Sequence, residues 1–105
     1  MNKVVLSRRE LIALLVHNGF TELPPRSGTS HRRYRGIVDG QTRFVDVDDS
    51  IDEFSPKSHG VLFYIVSSQL RLMDSARNAN TAWERFYAGE PSIARKAQVA
   101  YRKWT

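Results

Sequence analysis

The stretch "SHRRYRGIVDGQTRFVDVD", residues 30–48, decides the fold of this chain. Apolar and polar side chains alternate on both sides of Asp39-Gly40, a pair suited to the two-residue turn that joins twisted antiparallel strands. The spacing predicts a hairpin with strands near 30–38 and 42–48. Successive side chains of a strand point to opposite faces. His31, Arg33 and Arg35 therefore fall on one side, and Arg32 with Tyr34 on the other. Tyr34, Val45 and Val47 suit a covered face. Phe44, Asp46 and Asp48 then join His31, Arg33 and Arg35 on the opposite, open face.

Moving outward, Ser7 and Glu10 have the spacing of a capping box and precede Leu11, Ile12, Leu14, Leu15 and Val16. This predicts a helix over about 8–18, with Asn18-Gly19 as its left-handed stop. A further strand is expected near 20–26, pushed to the sheet margin by Pro24 and Pro25, which lack ladder donors. Downstream, "SPKSHGVLFYIVSSQLRLM" runs on too long for a strand and predicts a helix over about 57–72, with Pro56 near its start. Thr81 and Glu84 repeat the capping-box spacing, with Trp83, Phe86 and Tyr87 sharing a face as packing residues. Pro91 opens a last helix whose stripe is Ile93, Ala97, Ala100, Tyr101 and Trp104.

The expected class is α+β. A small antiparallel sheet in an α-β-β-β-α unit over 1–73 has both early helices on one face. Two C-terminal helices over 74–105 form an extension packed on the same domain. A chain of 105 residues with 41% hydrophobic and 26% charged residues has the size and composition of one folded domain.

The chain has no cysteine, which excludes disulfides, thiolate zinc sites and thiol nucleophiles. Its apolar runs, such as "LIALLV" and "VLFYIV", are too short to span a bilayer, and "MNKVVLSRREL" has no signal-peptide pattern. The expectation is a soluble cytoplasmic protein without membrane association. A net charge of +5 favours an anionic partner, because clustered cations neutralise phosphates and release counterions. Arg26, Arg32, Arg33 and Arg35 crowd around "GTSHRRYR", while Asp46, Asp48, Asp49, Asp52 and Glu53 form an acidic block behind them.

An imidazole beside guanidiniums and carboxylates on an open face suits RNA cleavage. One group takes the 2′-hydroxyl proton, another protonates the leaving oxygen, and cations stabilise the phosphate. On this reading His31 is a general base or acid, Arg33 and Arg35 contact phosphate, and Asp46 or Asp48 orients the ring. His59 is either a second imidazole or a residue of the helix start. No spacing of His and carboxylates suggests a metal site, and no cofactor is called for.

Residues 7 to about 72 resemble the HicA toxins, small bacterial messenger-RNA interferases with a double-stranded-RNA-binding-domain-like fold. Three stretches carry the likeness: "SRRELIALLVHNGF", "GTSHRRYR" and "KSHGVLFYIVSSQL". The second resembles the family's Gly-(Thr)-Ser-His signature, and the third its Lys-rich approach to the second helix. The resemblance implies that His31 is the catalytic histidine, that Gly28 and Ser30 form the turn presenting it, and that Tyr34 anchors its strand. It implies a metal-independent endoribonuclease that cuts mRNA, with a HicB-like antitoxin as partner. Arg26, Arg32, Arg33, Arg35 and Lys57 would then bind RNA. The chain departs from the family in having Arg32 where a second histidine often stands, and "DVDDSIDEFSP" where a Pro-His-Pro segment often follows the third strand. The rival reading is a non-catalytic nucleic-acid- or protein-binding protein that retains the fold.

Overall fold

The computed structural model describes residues 3–25 and 28–104, with side chains described through Ala97. Arg26 and the side chains of Ala100, Tyr101 and Trp104 lie outside the described residues. The chain is α+β, with one small three-stranded antiparallel sheet, a two-stranded pair and several helices.

The hairpin forms as its sequence dictates. β3 (His31–Val38) and β4 (Gln41–Asp48) pair in a register that sets Tyr34 opposite Val45 and Arg33 opposite Asp46. Asp39 and Gly40 at the turn both have positive φ, 52° and 76°, the combination that matches the right-handed twist of the flanking strands. Tyr34, Val45 and Val47 are buried against the helices, so the covered face is the one the alternation assigns.

β2, expected over about 20–26, is only Thr21–Glu22, paired with Arg35 and Tyr34. Prolines 24 and 25 supply no ladder N–H, and the strand ends before them. Gly36 makes room here. A Cβ at that position would sit 2.5 Å from the Phe20 ring, so the buried Phe20 packs directly on the bare backbone of β3.

α1 (Arg8–His17) begins with both arms of its capping box. The Glu10 amide donates to Ser7 Oγ at 3.1 Å, and the Ser7 amide donates to Glu10 Oε1 at 3.0 Å. It buries Leu11, Leu14 and Leu15. A pairing that local patterns do not signal precedes it: β1 (Leu6–Ser7) lies antiparallel to β5 (Glu53–Phe54), far along the chain. Arg8 reinforces that junction, its guanidinium donating to Asp49 O and Ile51 O and to Asp52 Oδ1 at 3.1 Å.

The helix expected over 57–72 is shorter and irregular. α2 (Val61–Tyr64) starts after Gly60 and widens into a π-helical stretch, Ile65–Gln69, closed by the Leu70 amide donating to Ile65 O at 2.7 Å. Residues 57–60 make a turn instead, because His59 takes a left-handed φ of 65° that no helix accommodates. At the other end Arg71, with φ 56°, breaks the chain away from the helix. One further turn, α3 (Leu72–Ser75), precedes α4 (Ala79–Ala88) and α5 (Pro91–Trp104), so the helical segment has one element more than the two expected.

The start of α4 also differs. Asn78 caps it, its Oδ1 accepting the Thr81 amide at 3.0 Å, so Thr81 lies within the first turn rather than before it. Trp83, Phe86, Tyr87, Ile93 and Ala97 join the same buried cluster as Leu11, Tyr34 and Val45. The three aromatics are packing residues, with Trp83 stacked on Tyr87 at 5.7 Å between ring centroids and edge-on to Phe86 at 6.0 Å. The Tyr87 hydroxyl donates to Val4 O at 2.9 Å and accepts from Val4 N at 3.1 Å, tying α4 to the chain's beginning.

Candidate active site on the open sheet face

Each residue of Gly28-Thr29-Ser30-His31 has a physical task. Gly28 takes a φ of 81°, which a side chain would oppose, and so turns the chain into β3. Thr29 Oγ1 accepts the His31 amide at 3.1 Å. Ser30 reaches across to the neighbouring strand, its hydroxyl donating to Asp48 Oδ1 at 3.2 Å while its carbonyl accepts the Asp49 amide at 2.9 Å. His31, directly opposite Asp48 in register, places Nε2 3.7 Å from Asp48 Oδ2.

Asp48 is held from its other side as well. The Ser50 hydroxyl donates to Oδ1 at 2.7 Å and the Ser50 amide at 2.9 Å. The Ser50 hydroxyl, then its amide, are the main causes that draw the Asp48 carboxyl below its ordinary range, with Ser30 and His31 adding to them. The result is a fixed, ionised carboxylate 3.7 Å from an imidazole, an ion-pair distance beyond hydrogen-bond reach.

Arg33 lies on the same face. Its guanidinium sits over the Phe44 ring at 4.3 Å from the centroid, and its Nε faces Asp46 Oδ1 at 4.0 Å. Neither of these two atoms has a hydrogen-bond partner, although both are shielded from solvent. Arg35 is exposed, stands opposite Phe44 and makes no ion pair among the described residues. The face thus offers one guanidinium on an aromatic platform and another free.

Between this face and α2 runs a groove of about 450 Å³. His31, Asp46, Asp48, His59, Tyr64 and Gln69 line it. Asp46 and Asp48, between which the sequence does not choose, part company here: Asp46 pairs with Arg33, and Asp48 with His31. His59 comes to the same groove as His31, with its ring tilted over Phe63 at 6.0 Å. Tyr64, Gln69 and Ser50 are additions that the sequence reading missed. Ser50, two residues beyond Asp48 in a turn, carries the one readable signal of the three, since serine there binds an aspartate locally.

Other candidate residues lie elsewhere. Arg32 points to the opposite side of β3, where Asp49 takes its Nε at 3.0 Å and Glu22 lies 3.5 Å from Nη1. Lys57 is exposed in the turn before α2 and does not line the groove. The acidic block is largely matched pairwise: Asp46 by Arg33, Asp49 by Arg32 and Asp52 by Arg8. A separate cavity of about 180 Å³ has Asp39 and Arg85 among its lining, and these two bind each other at 3.0 Å.

Among the described residues, no group of three or more His, Asp or Glu side chains converges as metal ligands. No described helix is long and apolar enough to cross a membrane. In comparisons with protein-family models, curated proteins and solved structures, no match to the chain is found.

Proposed function

We propose that the chain is a HicA-like, metal-independent endoribonuclease that cleaves mRNA in the cytoplasm, with His31 as its catalytic residue and a HicB-like antitoxin as its partner. On this proposal residues 1–73 form a double-stranded-RNA-binding-domain-like unit, and 74–105 are an extension of it. The observation that carries the reading is the His31–Asp48 contact on the open face, with Asp48 locked by Ser30 and Ser50. A mobile surface carboxylate would orient nothing. Arg33 and Arg35 on the same face supply the charge that a phosphate needs during in-line attack.

The pairing of Asp46 with Arg33, Asp49 with Arg32 and Asp52 with Arg8 leaves Arg35 as the exposed guanidinium of this face without an ion pair among the described residues. Arg33 over the Phe44 ring favours a second reading, a non-catalytic binder that stacks a base or holds a backbone there. The purified chain and its His31→Ala variant, incubated with RNA with and without chelator, separate the two. His31→Ala is expected to lower cleavage by about 10² to 10⁴ while RNA binding and melting temperature stay unchanged. Cleavage as fast as wild type by a folded variant overturns the assignment, and cleavage lost only with chelator overturns metal independence.

A further inference from the structure

We propose that His59 is a second catalytic residue of the same groove, acting as the general acid opposite His31 as the general base. This rests on the endoribonuclease reading and names the reaction and the roles within it. The two imidazoles come from separate parts of the chain, the start of β3 and the turn before α2, and line one groove that is open to solvent.

Their surroundings differ in the way the two tasks require. His31 has Asp48 3.7 Å from Nε2, which leaves Nδ1 to take a proton while the carboxylate balances the imidazolium that results. His59 has no ion pair among the described residues and is exposed. It stands in the groove without a carboxylate partner, and the acid's task is assigned to it. Its backbone points the same way. A φ of 65° is uncommon for a residue with a full side chain, and such conformations collect at sites where a side chain must be aimed. Gly60 follows and α2 begins directly after it, with the Tyr64 amide donating to Gly60 O at 2.9 Å, so the turn bearing His59 is fixed to a helix rather than hung on a free loop.

The step is transphosphorylation. The ribose O2′ gives its proton to His31 and forms a bond to phosphorus, the bond from phosphorus to O5′ breaks, and the O5′ oxygen takes a proton from the His59 imidazolium. The products are a 2′,3′-cyclic phosphate and a free 5′-hydroxyl. The electron pair of the broken bond stays on O5′, and no oxidant, reductant or water is consumed. Arg33, paired with the groove residue Asp46, is the guanidinium assigned to the non-bridging oxygens.

The test uses the full chain, an RNA oligonucleotide, and the same oligonucleotide with sulfur in place of one bridging O5′. A thiolate leaves without needing a proton, so the sulfur substrate makes a general acid dispensable and leaves the need for a base. His59→Asn and His59→Gly are the variants, because both residues tolerate positive φ and keep the turn. Both are expected to cut the ordinary RNA about 10² to 10⁴ more slowly, and to cut the sulfur substrate within about tenfold of wild type. His31→Ala should stay slow on both. Wild-type rates in both His59 variants overturn the role of His59 while the function of His31 stands. A loss that sulfur does not lift overturns the acid assignment, and a wild-type chain that cuts neither substrate overturns this inference together with the proposed function.

Discussion

The groove beside β4 and the aromatic end of α4 are built on opposite terms. At α4, Trp83, Phe86 and Tyr87 are buried, their rings pack against one another, and the Tyr87 hydroxyl has both a donor and an acceptor in Val4. At the groove His31 stands 3.7 Å from its carboxylate, and on the same sheet face, outside the groove lining, Arg33 Nε has no hydrogen-bond partner and Arg35 makes no ion pair among the described residues. The first region is closed on itself apart from Trp83 Nε1, which is buried without a hydrogen-bond partner, and the second keeps charged side chains at the surface. On the proposed function, stability and activity occupy separate parts of a small molecule, and substitutions should divide accordingly.

The largest effect that would sharpen this contrast is on the catalytic side, the loss of about 10² to 10⁴ in cleavage with an unchanged melting temperature for His31→Ala. The mirror experiment is Trp83→Ala. It should cost about 3–5 kcal/mol in urea unfolding while the surviving folded protein binds RNA with unchanged affinity. Loss of RNA affinity in the folded fraction would break the separation.

Alkaline unfolding probes the same end with a smaller effect. Burial raises the Tyr87 phenol to about 12, so the folded chain keeps it neutral where an unfolded tyrosine ionises near pH 10. The stability this contributes is complete below about pH 10 and is lost as the pH climbs from there to about 12, by up to about 3 kcal/mol. Tyr87→Phe should remove this part of the alkaline drop and cost about 1 kcal/mol at neutral pH through its lost bonds to Val4. Tyr34, also raised chiefly by burial, leaves a remainder. An unaltered alkaline slope in Tyr87→Phe would show that the phenol is not the source.

The smallest effect concerns salt. If Arg33 and Arg35 each neutralise one phosphate of a single strand, replacing both with Ala should lower the logarithmic salt slope of RNA binding by about 1.4. Sequence preference should hardly change, since phosphate contacts position rather than specify. A slope that stays put would mean that phosphates bind elsewhere.

Much of this was legible in the sequence, for reasons that are local. The hairpin follows from strict alternation around Asp39-Gly40, and once it is granted the companions of His31 on the open face follow by counting. The capping box of α1 is equally local. What failed depended on distance or on unusual backbone. β1 and β5 are two residues each and find one another across more than forty positions, too little pattern for a reader to see. The break at Arg71 occurs at a residue with no special aptitude for a left-handed turn. The apolar run of 61–66 looks the same whether its helix starts at 57 or at 61. That His59 shares a groove with His31 depends on the path of residues 49–60, which Arg8 gathers from the far side of the chain.

β4 is one of the two edge strands of its sheet, and a bare edge strand invites a strand from another molecule to pair with it. The amide of Asp46, which points outward there, is already taken by Gln69 Oε1 at 3.4 Å from the widened turn of the π-helical stretch. Asp46 and Asp48 add two charges along the same strand. The irregular helix thus occupies a ladder donor at one of the sheet's two margins and serves there as a guard against edge-to-edge aggregation.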